Sequence, residues 1–316
     1  MHISVASFLH QIKKVLNLIK KHMILSVKSI EVLLTVLINR RYQSFKPYLA
    51  NCDECLVLGN GPSLNEVIKD LPTLRKGRDV FCVNFFAMTD YYVKIKPSNY
   101  VLHDKIFWID EVSDDLLQKR EELFDRLKKA TNWPLLIFVP YAAKASRKFE
   151  QLSNFNSNIN IFYYYHSTFE PPDGIYTNIR HFLYKYNSDI SFANNVLIPT
   201  IFFAINLEYK KIFIFGADHS WHEQIFVGFD NVLYIKQGHF YDKKVDKLPF
   251  YRRKNKPFKI HEAFDLWARV FKGHTLLEEY ANKKGVKIYN VSGKSYIDAY
   301  ERITIRSPLL YSNQKM

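Results

Sequence analysis

The chain is 316 residues long, 47% hydrophobic and 24% charged, which excludes a disordered or collagen-like chain and fits one large or two modest globular domains. Three cysteines, Cys52, Cys55 and Cys82, are too few for a disulfide framework and point to a reducing compartment. The formal net charge of +14 suits an anionic membrane surface or an anionic substrate. With no helix-turn-helix, zinc-finger or RNP pattern beside that charge, no nucleic-acid partner is expected.

Residues 1–50 carry eight basic side chains against Glu31 alone. Leu9, Ile12, Leu16 and Ile19 recur at helical spacing, with Lys13, Lys14, Lys20 and Lys21 largely off that face. The spacing predicts a basic amphipathic arm of one or two helices. Lys28 and Glu31 interrupt its apolar second half, so it is not expected to span a bilayer. Two readings stay open: the arm lies on an anionic membrane, or it packs on the rest of the protein or on a second subunit of a homo-oligomer. The expected location is cytoplasmic, peripheral at the inner membrane face where the arm meets lipid.

From Asp53 onward, strands alternate with helices. Strands are expected over 55–59, 80–84, 100–103, 135–139, 160–164, 211–216 and 286–290, mostly short β-branched or aromatic runs. Helices are expected over 65–70, 114–130, 178–186, 191–207 and 261–283. The fold class is therefore α/β: a Rossmann-like, mainly parallel sheet with helices on both faces over 51–300. The charged, aromatic stretch 219–260 reads as a lid insertion, and 301–316 as a loose tail. Cys52 and Cys55 form a Cys-x-x-Cys pair, but two thiolates do not make a structural zinc site. The pair also precedes a strand rather than a helix, so a core role is expected.

Ligands of such sheets bind beyond the carboxyl ends of the strands. The first strand runs into Gly59-Asn60-Gly61-Pro62-Ser63-Leu64, a glycine turn before an expected helix. Glycines permit close backbone approach, and free amides at a helix start attract phosphate. Ser63 suits an N-cap or a phosphate donor. The alternative is a tight turn with no ligand. Asn84 ends the second strand and suits a ribose or base edge, or a helix cap. Asp104 and Asp218 each end an apolar strand; they suit ribose hydroxyls, Mg²⁺ or a helix N-cap. His219, His222 and His239 are candidate general bases, with His239, Tyr241 and Asp242 together in the insertion. Each histidine reads equally as an ordinary loop residue.

The run 56–64 resembles the opening strand and turn of bacterial lipooligosaccharide sialyltransferases, glycosyltransferase family forty-two. Val83-Asn84-Phe85-Phe86 and Glu208-Tyr209-Lys210-Lys211-Ile212-Phe213-Ile214-Phe215-Gly216-Ala217-Asp218 are similar to two further strand ends of that family. Where the family carries Thr-Ser-Gly, this chain has Ala193-Asn194-Asn195-Val196, and Asn195 is the residue that can replace the serine contact. The resemblance implies a glycosyltransferase with a nucleotide-activated sugar, a CMP-sugar above all, and a glycan or glycolipid acceptor. No cofactor is required. Gly59, Asn60, Gly61, Pro62, Ser63, Asn84, Asp104, Asn195, Gly216 and Asp218 would bind nucleotide. His239, with Tyr241 and His219, would act on the acceptor. The same turn, with the strand ending Asn99-Tyr100-Val101-Leu102-His103-Asp104, also resembles archaeal 6-hydroxymethylpterin diphosphokinases and their bacterial relatives. That likeness implies ATP with Mg²⁺ at Asp104 and Asp218. A third reading is a non-catalytic nucleotide-binding protein of membrane assembly.

Overall fold

A computed structural model of the chain describes residues 5–39, 43–166, 175–236, 238, 240–241, 247–253 and 256–311. The strands are β1 (Glu54–Leu58), β2 (Asp79–Val83), β3 (Asn99–Val101), β4 (Leu135–Pro140), β5 (Ile159–Tyr164), β6 (Lys211–Phe215), β7 (Ile225–Val227), β8 (Leu233–Ile235), β9 (Leu248–Pro249), β10 (Tyr251–Arg253), β11 (Lys256–Pro257), β12 (Lys287–Asn290) and β13 (Glu301–Arg302). The helices are α1 (Val5–Asn39), α2 (Leu71–Leu74), α3 (Tyr91–Ile95), α4 (Asp114–Ala130), α5 (Lys148–Phe155), α6 (Thr177–Lys185), α7 (Leu197–Asn206) and α8 (Ile260–Lys284).

Eight strands form one sheet in the order β13-β12-β6-β1-β2-β3-β4-β5, and every neighbouring pair in it is parallel. Such a sheet must be covered on both faces, which is why its strands read as unbroken apolar runs. Alternation along β1 divides the core. Leu56 and Leu58 join the cluster that includes α2 to α5. Cys55 and Val57 join the cluster that includes α7 and α8. All ten residues of α7 are buried, and a helix apolar all round belongs inside. Cys55 is fully buried and its thiol is pushed well above the ordinary range by that burial, as befits a small core residue.

The chain runs from β1 outward to β5, then returns to place β6 on the other side of β1. This reversal between β1 and β6 is the switch point where doubly wound folds open a crevice.

Three expectations need correction. The helix expected over 65–70 is a 3-10 turn, Pro62–Glu66, followed by the four-residue α2. The helix expected from 191 begins only at Leu197, because Phe192 has φ 54° and Asn195 Oδ1 accepts the Leu197 N–H at 2.9 Å. The expected tail is ordered through residue 311. β13 pairs with β12, and Leu310 is buried with its carbonyl accepting from Arg78 at 2.8 Å.

The insertion folds as a three-stranded antiparallel sheet, β7-β8-β9, and a hairpin, β10-β11. Leu233 packs with Ala263 and Trp267 of α8, joined by Trp221, Phe250 and Phe258. A small aromatic core thus ties the insertion to α8. It also reaches the glycine turn: Phe240 N–H donates to Asn60 O, and Asn65 Nδ2 donates to Phe240 O, both at 3.0 Å.

Candidate functional site

A cleft of about 120 Å³, partly open to solvent, sits at the β1–β6 switch point. Its walls include Gly59, Asn60, Gly61 and Pro62 after β1, Asn84 after β2, Asn195 before α7, and Gly216, Asp218 and His219 after β6. Trp221 and Gln224 of the insertion complete it. Nine of the thirteen expected site residues therefore meet in one place. The other four are Ser63, Asp104, Tyr241 and His239. Ser63 lies behind Asp218. Asp104 is exposed and caps the 3-10 turn Lys105–Phe107 by accepting the Ile106 N–H at 3.1 Å. Tyr241 packs on Phe240, with Lys119 over its ring. His239 lies outside the described residues, as does Asp242.

The glycine turn is not an open phosphate cradle. Gly59 N–H donates to Phe215 O at 2.8 Å, Gly61 N–H to Gly216 O at 2.9 Å and Leu64 N–H to Gly61 O at 3.0 Å. Pro62 has no N–H to offer. Ser63 donates both its N–H and its hydroxyl to Asp218, at 3.0 and 2.5 Å. Ser63 is thus a latch for Asp218 rather than a phosphate donor or helix cap. Glycine is required here by close packing. A Cβ on Gly59 would stand 2.5 Å from Gly216 O, and one on Gly61 would stand 2.3 Å from Asp218 Oδ1.

Asp218 shares a wall of the cleft with that latch. Burial pushes its carboxyl pKa up, while the Ser63 bonds pull it down. Asp104 caps its own turn and does not line the cleft that Asp218 lines. Among the described residues no cluster of three His, Cys, Asp or Glu side chains could hold a metal ion.

Two side chains that line the cleft each keep a buried amide oxygen without a partner among the described residues. Asn60 Nδ2 donates to Val83 O at 3.1 Å, which fixes the amide and turns Oδ1 away. Asn60 Oδ1 and Asn84 Oδ1 are both buried, without a hydrogen-bond partner among the described residues. Buried oxygens of this kind are rare and costly. Asn84 is not the helix cap that its position allowed. Its backbone sits at φ 50°, and the Tyr100 hydroxyl holds it there by donating to Asn84 O at 2.6 Å. His219, at φ 50°, and Gly216, at φ 62°, are also left-handed. Glycine adopts this state freely and asparagine tolerates it, so of the three only His219 holds a backbone costly for its residue type.

Two histidine networks flank the cleft. His219 Nε2 lies 3.0 Å from His274 Nε2, and His274 Nδ1 lies 3.0 Å from the Tyr300 hydroxyl. One imidazole must donate to the other, so the two cannot both be cations, and burial favours the neutral form of each. Burial holds His219 down at about 3 and pushes His274 well below the ordinary value. Trp221 lies against the His219 ring, centroids 4.4 Å apart. On the other side, His103 Nε2 lies 2.6 Å from Ala193 O and Nδ1 lies 2.5 Å from the Tyr164 hydroxyl. A carbonyl only accepts, so Nε2 carries the proton and Nδ1 accepts from Tyr164. Burial holds His103 at about 3 as well. His103 thereby anchors the segment that delivers Asn195. From sequence, His103 stands out only as the neighbour of Asp104 at a strand end, and His274 reads as structural; nothing local in the chain marks which strand ends meet.

Fold and site together define a Rossmann-like, doubly wound α/β protein with a polar cleft at its switch point. No protein-family model matches the chain, and no curated protein matches it. Among solved structures it is similar to one described as the MAf glycosyltransferase from Magnetospirillum magneticum AMB-1, with a TM-score of 0.43 and 9% identity. That likeness covers 84% of this chain but only 37% of the other protein's length. The resemblances to sialyltransferases and pterin diphosphokinases rest on the quoted motifs alone.

Proposed function

We propose that this chain is a glycosyltransferase using a nucleotide-activated sugar, with a CMP-sugar favoured by the motif resemblance. Its setting would be bacterial surface polysaccharide or lipopolysaccharide synthesis, with a glycan or glycolipid acceptor. The observation that carries the reading is the pair of unpartnered oxygens, Asn60 Oδ1 and Asn84 Oδ1, in a switch-point cleft. A ligand that satisfies them must donate hydrogen bonds, as ribose hydroxyls and base amines do. Trp221 offers a face for stacking.

The reaction would be a single displacement with inversion. The acceptor oxygen bonds to the sugar's anomeric carbon as the bond from that carbon to phosphate oxygen breaks. The phosphate leaves with the electron pair, and the acceptor's proton passes to a neutral histidine. His239, in the insertion, is the favoured base; His219 lines the cleft, but burial holds it down at about 3 and makes it the weaker one.

Calorimetric titration of the full chain with CMP, UDP, GDP and ATP tests the binding step. CMP is expected to bind tightest without added metal. Tightest binding of ATP with Mg²⁺ would move the assignment to a diphosphokinase-like transferase, and no binding of any nucleotide would end it. Turnover with the matching sugar donor then assigns the base, because losing it typically lowers rate ~10²–10⁴-fold. The damaging variant, His219→Ala or His239→Ala, should retain nucleotide affinity.

A further inference from the structure

α1 is one continuous helix of 35 residues, and it meets the body mainly through its second half. Ser29 and Val32 are buried there. The Tyr176 hydroxyl lies 3.1 Å from His22 Nδ1 and 3.3 Å from Ser26 Oγ. Ahead of that dock, residues 9–23 are all exposed, a rod of about 22 Å at 1.5 Å per residue. Six of the helix's apolar side chains form a stripe, and the exposed Val15 and Leu18 lie outside it, on the side away from Lys13 and Lys20. At 100° per residue, Ile12, Leu16, Ile19, Met23, Ile30 and Leu34 fall within an arc of about 60°. That stripe is uncovered: Leu16 is 58% exposed, Met23 64% and Leu34 53%. Ser29 and Val32 point to the opposite side, so the docked half does not hide it. A continuous exposed apolar strip marks an interaction surface.

The flank of the stripe decides what covers it. Lys13, Lys14, Lys20, Lys21 and Lys28 occupy the adjoining arc of about 120°, and Glu31 is the only acid of the helix. Pairing this face with a second copy would bring lysine flanks together with a single carboxylate each for relief. An anionic lipid surface instead takes the apolar side chains among its acyl chains and gives each lysine a headgroup partner. No helix among the described residues is long and apolar enough to cross a membrane, so this helix would lie on the surface rather than span it.

We infer that α1 is an interfacial anchor that seats the protein on an anionic lipid bilayer. The inference is independent of the nucleotide reading, since vesicle binding is measured without substrate. Full-length protein is expected to float with phosphatidylglycerol-containing vesicles at low salt, and to do so much less with pure phosphatidylcholine. High salt should weaken binding as the Debye length shortens. Each lysine near such a surface contributes about fivefold in partitioning, so Lys13→Glu, Lys14→Glu, Lys20→Glu and Lys21→Glu combined should lower it more than about 100-fold. Leu16→Ser, Ile19→Ser and Met23→Ser combined should abolish it at any salt. These residues do not touch the body, so both variants should keep the wild-type circular dichroism and melting temperature. Equal flotation of wild type and both variants would overturn the inference. So would failure to float together with a light-scattering dimer that the serine variant splits; a second copy would then cover the stripe.

Discussion

The two ends of β1 are built on opposite rules. At its amino end, the buried Glu54 carboxylate accepts from Arg78 at 2.8 and 2.7 Å and from Lys211 at 2.9 Å. Arg78 places its remaining donors on Leu74 O and Leu310 O, both at 2.8 Å. Charges are met by charges and donors by acceptors. Beyond the carboxyl end of this 5-residue strand, two amide oxygens lack partners among the described residues, three residues hold left-handed backbones and two histidines are buried uncharged. The satisfied end serves stability. The unsatisfied end is where the nucleotide site is proposed.

The largest effect that would break this contrast is expected at the amino end. Glu54→Ala leaves the Arg78 charge buried without its partner, and such losses cost about 3–5 kcal/mol. Urea unfolding should show that loss, while the folded fraction binds nucleotide as before. A parallel loss of nucleotide affinity would mean that the two ends are not separable.

Acid should act on the carboxyl end. His103 and His219 are each held at about 3 by burial, against about 6.5 in the unfolded chain. Below pH 6.5 the unfolded state binds protons that the folded state refuses. Stability is therefore full above that pH and falls as pH drops toward 3. By pH 4.5 each histidine should account for roughly 2–3 kcal/mol. Melting temperature against pH checks this, and His219→Gln should flatten the slope.

The smallest effect on stability should distinguish Asn84 from its glycine neighbours. Asn84→Gly keeps the left-handed backbone at no steric cost, so stability should change by less than about 0.5 kcal/mol. The missing side-chain oxygen should still lower nucleotide affinity about tenfold. Gly61→Val, by contrast, drives carbon into Asp218 and breaks the Ser63 latch. It should lower stability by about 1–3 kcal/mol along with binding. Paired melting and titration curves for the two variants sharpen the comparison.

Much of the frame was legible in the chain itself. Short apolar runs located seven of the eight sheet strands to within two residues, because strands buried on both faces carry little but apolar side chains. The helix over 114–130 could be placed because acidic residues open it and lysines close it. Gly59 and Gly61 were recognisable as points of close approach. Their purpose was not: glycine serves a ligand and a neighbouring strand equally well, and only the 2.5 Å separation between a Gly59 Cβ and Gly216 O tells them apart.

The sequence by itself determined an α/β fold, a basic amphipathic arm and a set of polar strand ends, because these are properties of local pattern and spacing. Tertiary structure decided what the strand ends do. Ser63 and Asp218 are 155 positions apart and bind each other, as do His219 and His274 across 55. Asp104 was sent to a surface turn instead. Each outcome depends on which chain segments lie beside one another at the switch point, and that follows from the order of strands in the sheet rather than from any residue's neighbours in the chain.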